Sequence, residues 1–87
     1  MAGTAAGMIP LYGFLEGDTI GLVVLADADD TVAVLAGKLQ AAARLRAAID
    51  GPITVLYEGK PIDLESTVSE IRMQPLGRFD VRRGPTA

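Results

Sequence analysis

Apolar positions along the chain follow two different periods. From Met8 to Leu15 they form a short run that reads as a first strand, and Glu16-Gly17-Asp18 reads as a turn. Thr19 to Ala26 reads as a second strand, so the two predict a β-hairpin with a short glycine-containing loop. Pro10 has no N–H to give to a ladder, which places it at the strand's start or on a free edge. The period then lengthens. Across Ala28 to Gln40, Val32, Leu35 and Leu39 recur every three or four residues, the spacing of one helix face. The helix is expected from about Asp30 to Ala43, and as far as Ala48. Asp27, Asp29, Asp30 and Thr31 precede it, where oxygen acceptors satisfy first-turn N–H groups and the helix dipole favours negative charge. Arg44 and Arg46 fall where that dipole favours cations, and Asp50-Gly51-Pro52 ends the element. Gly37 costs about 1 kcal/mol against alanine in such a helix.

The period shortens again beyond Pro52. Ile53, Val55 and Tyr57 alternate with Thr54 and Leu56 in a third strand, and Glu58-Gly59-Lys60-Pro61 forms a turn. Ile62 begins a very short fourth strand, and Thr67 to Ile71 fits one helical turn. In a last strand, Arg78 to Arg83, Phe79 and Val81 point inward while Arg78, Asp80 and Arg82 point outward. The predicted fold class is therefore α+β, with a mixed sheet of four to five strands and one main helix across one face. The second strand stands out because both its sides are apolar. Ile20, Leu22 and Val24 line one, Val23 and Leu25 the other. A half-exposed strand would carry polar residues on its outer side. The outer pair suits the general preference of strands for β-branched residues, a covering terminal segment, or docking of another protein.

Composition narrows the function. With 87 residues the chain fits one domain with a thin core. Its net charge of −3 opposes nucleic-acid binding, which uses a basic face. It has neither cysteine nor histidine, so thiolate chemistry and the commonest general base and metal ligand are all missing. Met1 to Gly7 lacks the basic and apolar regions of a signal peptide. The longest apolar run, Ile20 to Ala26, falls far short of the ~20 residues of a membrane helix. No membrane contact and a cytoplasmic location are expected.

Remaining chemical motifs fail on context. Asp27-Ala-Asp-Asp-Thr31 after an apolar strand fits the nucleophile motif of haloacid-dehalogenase-type phosphotransferases, but that chemistry needs a parallel α/β sheet and acids from later strands. The same acids lack the glycine and closing glutamate of an EF-hand loop. Asp63 and Glu65 sit on a surface turn with nothing to raise a carboxyl pKa. Gly59-Lys60 lacks the earlier glycine of a phosphate-binding loop. No catalytic residue, metal site or cofactor is expected.

The element order resembles the ubiquitin-like β-grasp. Asp30-Thr31-Val32, Lys38-Leu39-Gln40, Gly59-Lys60 and Thr67-Val68-Ser69-Glu70 match landmarks of that family, and Val55 to Arg83 fits ubiquitin without a gap. This resemblance implies a flexible N-terminal segment at 1–7, a ubiquitin-like domain at 8–83 and a tail at 84–87. The tail cannot be conjugated as it stands, since Arg83-Gly84 is followed by Pro85-Thr86-Ala87. A narrower family is also similar: the toluene-4-monooxygenase system protein B type, the small subunit of bacterial multicomponent diiron monooxygenases. Its features here are Ile9-Pro10-Leu11, then Phe14, Glu16 and Asp18 around the hairpin. Leu22-Val-Val-Leu25 running to Asp27 and Asp30-Thr31 follows, and later Pro75-Leu76 before Phe79-Asp80-Val81. Arg44 and Arg46 precede Gly51, where the family usually has adjacent arginines and a proline.

The narrower resemblance implies a non-catalytic subunit in a hetero-oligomer, packed on a large hydroxylase subunit whose own helices hold two irons. By the wider one, Leu56 falls on the exposed sheet face, where ubiquitin-like domains keep an apolar contact residue. Val23, Leu25 and Leu56, with Arg78 and Arg82 at the rim, then form the expected protein-binding surface. The competing expectation is a free-standing ubiquitin-like adaptor resembling those of bacterial type VII secretion.

Overall fold

The computed structural model describes residues 8–84. The expected N-terminal segment and the tail beyond Gly84 lie outside the described residues. The elements are β1 (Met8–Leu15), β2 (Leu22–Asp27), α1 (Val32–Ala43), β3 (Ile53–Tyr57), β4 (Lys60–Ile62), α2 (Val68–Ile71) and β5 (Arg78–Arg83). They build a five-stranded sheet in the order β2-β1-β5-β3-β4 with α1 across one face. β1 and β5 run parallel; the other neighbouring pairs are antiparallel.

Strand parity decides the core. Leu11 and Leu15 of β1, Val24 and Ala26 of β2, Val55 of β3, and Phe79 and Val81 of β5 all turn to one side and are buried. Val32, Leu35, Ala36, Leu39 and Ala43 of α1 meet them, a stripe at helical spacing. Ile49, between α1 and β3, Val68 of α2 and Met73, after α2, complete this cluster. No buried polar side chain lacks a partner among the described residues.

The ends of α1 differ from the sequence expectation. The helix begins at Val32 and stops at Ala43, and Thr31 is its N-cap, with its hydroxyl accepting from the Val34 N–H at 3.2 Å. The acids do not cap it. Asp27 accepts from the Asp29 N–H at 3.1 Å, and Asp30 from the Asp27 N–H at 3.0 Å, so they fold the preceding loop on itself. The first helical N–H groups go to a distant loop: Val32 to the Ser66 carbonyl at 2.8 Å and Ala33 to that of Leu64 at 3.0 Å. Reciprocally, Val68 and Ser69 at the start of α2 donate to the carbonyls of Asp30 and Ala28. The two helix starts thus satisfy each other's exposed backbone. α2 adds its own capping box between Thr67 and Glu70.

Two further differences sit at the hairpin. β2 starts at Leu22 rather than Thr19, so Ile20 lies in a longer loop and is not a strand residue. Arg46 does not cap α1. It reaches across to Asp18 in that loop, at 3.0 Å. An ion pair to a fixed partner outcompetes the diffuse field of a helix end. At the other end, Gly84 donates to the Pro52 carbonyl at 2.9 Å and accepts from the Thr54 hydroxyl at 2.8 Å.

Candidate protein-binding face

Residues of opposite parity form the outer face of the sheet, which no described element covers. On β2, Val23 is 58% and Leu25 55% exposed; on β1, Tyr12 is 42% exposed and Met8 also lies open. Register sets the rows: Val23 stands beside Tyr12, Tyr12 beside Arg78, and Leu25 beside Pro10. In the next row Phe14 stands beside Asp80, Asp80 beside Leu56, and Leu56 beside Pro61. Arg82 lies beside Thr54.

All five residues expected on this surface face outward, but not in the expected arrangement. β5 is the middle strand, so Arg78, Asp80 and Arg82 run down the centre instead of the rim. Val23 and Leu56 are three strand spacings apart, roughly 14 Å, and do not share one patch. Leu56 is only half exposed. The physical reason is the parallel β1–β5 pairing, which inserts the C-terminal strand between the hairpin and β3. The contiguous apolar area lies instead on β1 and β2: Met8, Pro10, Tyr12, Val23 and Leu25. Tyr12 and Phe14 were not expected there, yet the signal was present. Leu11, Gly13 and Leu15 alternate with Pro10, Tyr12 and Phe14, and parity sends the second set outward.

Charged side chains occupy the centre of the face. Arg78 makes a two-pronged ion pair with Asp80 at 3.0 and 3.1 Å, and its guanidinium lies 4.0 Å above the Phe14 ring. Phe14 in turn stacks on Tyr12 with ring centres 5.4 Å apart. The Asp80 hydrogen bonds, and then its charge, hold the Arg78 pKa above the ordinary arginine value. Beside them, at the hairpin end, Phe14, Gly17, Asp80 and Arg82 border a shallow open hollow of about 440 Å³.

Both sheet edges are guarded. Pro10 and Tyr12 direct their backbones toward the β5 side, accepting from Leu76 and donating to the Gly77 carbonyl at 2.9 Å. Their partners Leu25 and Val23 therefore direct theirs to the free edge of β2. There Lys38 from α1 donates to the Leu25 carbonyl at 3.0 Å while pairing with Asp30, and Asp30 holds the Asp27 N–H. Burial alone raises the Asp30 pKa, but the Lys38 hydrogen bond, the Asp27 amide and the Lys38 charge together bring it below the usual carboxylate value. The opposite edge, β4, is three residues long and contains Pro61.

No group of three metal-ligating side chains occurs among the described residues, and none of their helices is long and apolar enough to cross a membrane. Asp63 and Glu65 stay exposed on their turn.

Comparison with known proteins bears on the family and the fold. The family model of toluene-4-monooxygenase system protein B matches residues 8–82. A search of curated proteins found no match. Among solved structures, a chain of the toluene 4-monooxygenase HD complex with the inhibitor 4-bromobenzoate superposes with a TM-score of 0.78 at 20% identity, covering 85% of this chain and 95% of that one. The ubiquitin of Caldiarchaeum subterraneum gives 0.72 at 14% identity, covering 93% and 100%. A chain of the MycP5-free ESX-5 inner membrane complex gives 0.69 at 17% identity, covering 93% of this chain but 22% of that one. At these identities the structural likenesses establish the ubiquitin-like fold.

Proposed function

Given that the chain belongs to the toluene-4-monooxygenase system protein B family, we propose that it is a non-catalytic subunit of a bacterial multicomponent monooxygenase, bound to the large diiron hydroxylase subunit. The observation that carries this reading is the family match over nearly the whole domain. The open apolar area on β1 and β2 supports it. A bare sheet face of this kind, beside fixed charges, has the composition of a protein-binding surface. The domain comprises residues 8–83. Val23, Leu25, Leu56, Arg78 and Arg82 form the contact surface, with Met8, Tyr12 and Phe14 joining them. The irons and the oxygen chemistry belong to the partner; this chain's contribution is to shape and stabilise it. The complex is hetero-oligomeric and cytoplasmic.

The secretion-adaptor reading is the weaker one, because its likeness is one of fold alone and covers 22% of the matched chain. Co-expression with the large hydroxylase subunit, followed by size-exclusion chromatography, tests the proposal. One stable complex is expected, and Val23→Asp should abolish it while leaving the circular dichroism spectrum intact. A wild-type chain that elutes apart from the hydroxylase overturns the proposal.

A further inference from the structure

The turn that leads into β5, Gln74 to Gly77, carries a leucine at the position least suited to one. The Gly77 N–H closes it by donating to the Gln74 carbonyl at 2.9 Å, Pro75 stands second, and Leu76 stands third with a φ of 61°. Proline second and a positive φ third is the form of a type II turn, whose third position favours glycine or asparagine. Neighbouring strands hold the turn in this shape. The Leu76 N–H donates to the Pro10 carbonyl at 2.6 Å, the Gly77 carbonyl accepts from Tyr12, and the Gln74 N–H donates to the Tyr57 hydroxyl at 2.8 Å. Surroundings of this kind keep a residue in a conformation that it disfavours by itself.

Those contacts fix the backbone, but none of them requires a leucine side chain. Leu76 is 60% exposed, so its side chain gains little from burial within the chain. Glu58 and Arg72 are the other non-glycine residues with positive φ among those described, and both are charged. Leu76 alone combines the unfavourable backbone with an apolar side chain in water. Its place in the fold gives that combination a use. Pro10, which it bonds, stands beside Leu25 of β2, and Tyr12 bonds the next residue of the turn. Leu76 therefore adjoins the bare apolar area of β1 and β2, at the start of β5.

Resting on the subunit assignment above, we infer that Leu76 is an anchor of the contact with the large hydroxylase subunit, entering an apolar pocket there beside the contact over Leu25 and Tyr12. A side chain on a backbone already fixed loses little freedom on binding, so more of its burial appears as affinity. The test measures melting temperature and dissociation from the purified large hydroxylase subunit for the full chain and its Leu76→Asn and Leu76→Met variants. Asparagine accepts the turn's backbone but does not fill an apolar pocket. Leu76→Asn should therefore melt at or above the wild-type temperature and dissociate about tenfold faster or more. Leu76→Met keeps an apolar side chain of similar volume and should dissociate within about threefold of wild type. Wild-type dissociation in Leu76→Asn, a clear drop in its melting temperature, or equally fast dissociation of Leu76→Met overturns the inference and leaves the subunit assignment standing. Absence of any wild-type binding overturns that assignment itself.

Discussion

Val23 and Val24 are neighbours in one strand, yet one is 58% exposed and the other 8%. The same contrast runs through the whole sheet. Inner positions carry Leu11, Leu15, Val55, Phe79 and Val81, all sealed under α1. Outer positions carry side chains almost as apolar on β1 and β2, but nothing described covers them. Hydrophobicity alone therefore does not separate the two faces. Parity and the placement of a single helix do. The inner face stabilises the fold, and no described element covers the outer one.

Substitutions can break or sharpen this contrast. Phe79→Ala should cost about 3–5 kcal/mol of stability, measured by urea denaturation, because a fully buried ring leaves a cavity. Val23→Thr on the outer face should stay within about 0.5 kcal/mol. A comparable loss in both would mean that the outer face also holds the fold together. Glycines give a second, smaller contrast. At Gly13 on the inner face an added Cβ would lie 2.6 Å from Phe79 Cζ and 3.0 Å from Leu39 Cδ1. Gly13→Ala should therefore cost about 1–3 kcal/mol through overpacking. At Gly37 on α1 an added Cβ meets nothing within 4 Å, so Gly37→Ala should stabilise by about 0.8–1 kcal/mol.

The smallest expected effect concerns pH. The folded-state pKa of Asp30 is depressed, so the stability it contributes is complete above the unfolded value of about 3.9 and is lost as pH falls through the folded value. Asp30→Asn should lower stability at pH 7 and flatten the acid limb of the stability profile below about pH 4. An unchanged acid limb would show that the Lys38 clasp on the β2 edge does not hold in solution.

Much of the fold is written in local pattern. β1, β3 and β5 fall where their alternation places them, because each is bounded by turn formers and carries a clear inner set. Gly37 is tolerated on an open helix surface and makes no close approach to the sheet. The helix start was less legible. Acids before an apolar run look like caps, but Leu64 and Ser66 supply the acceptors from more than thirty residues away. No local pattern reports such a contact. The same limit applies to Arg46, whose partner Asp18 lies 28 positions earlier.

The candidate surface shows the same boundary most sharply. Which residues of Val23, Leu25, Leu56, Arg78 and Arg82 point outward follows from period-two alternation, a property of each strand by itself. How they are arranged does not, because lateral order is set by pairing between distant strands. Only the folded sheet puts β5 next to β1, moves the arginines to the centre and parts Leu56 from the β2 valines. Side-chain direction is a local consequence of backbone geometry, whereas adjacency is decided by which strands bury the most together.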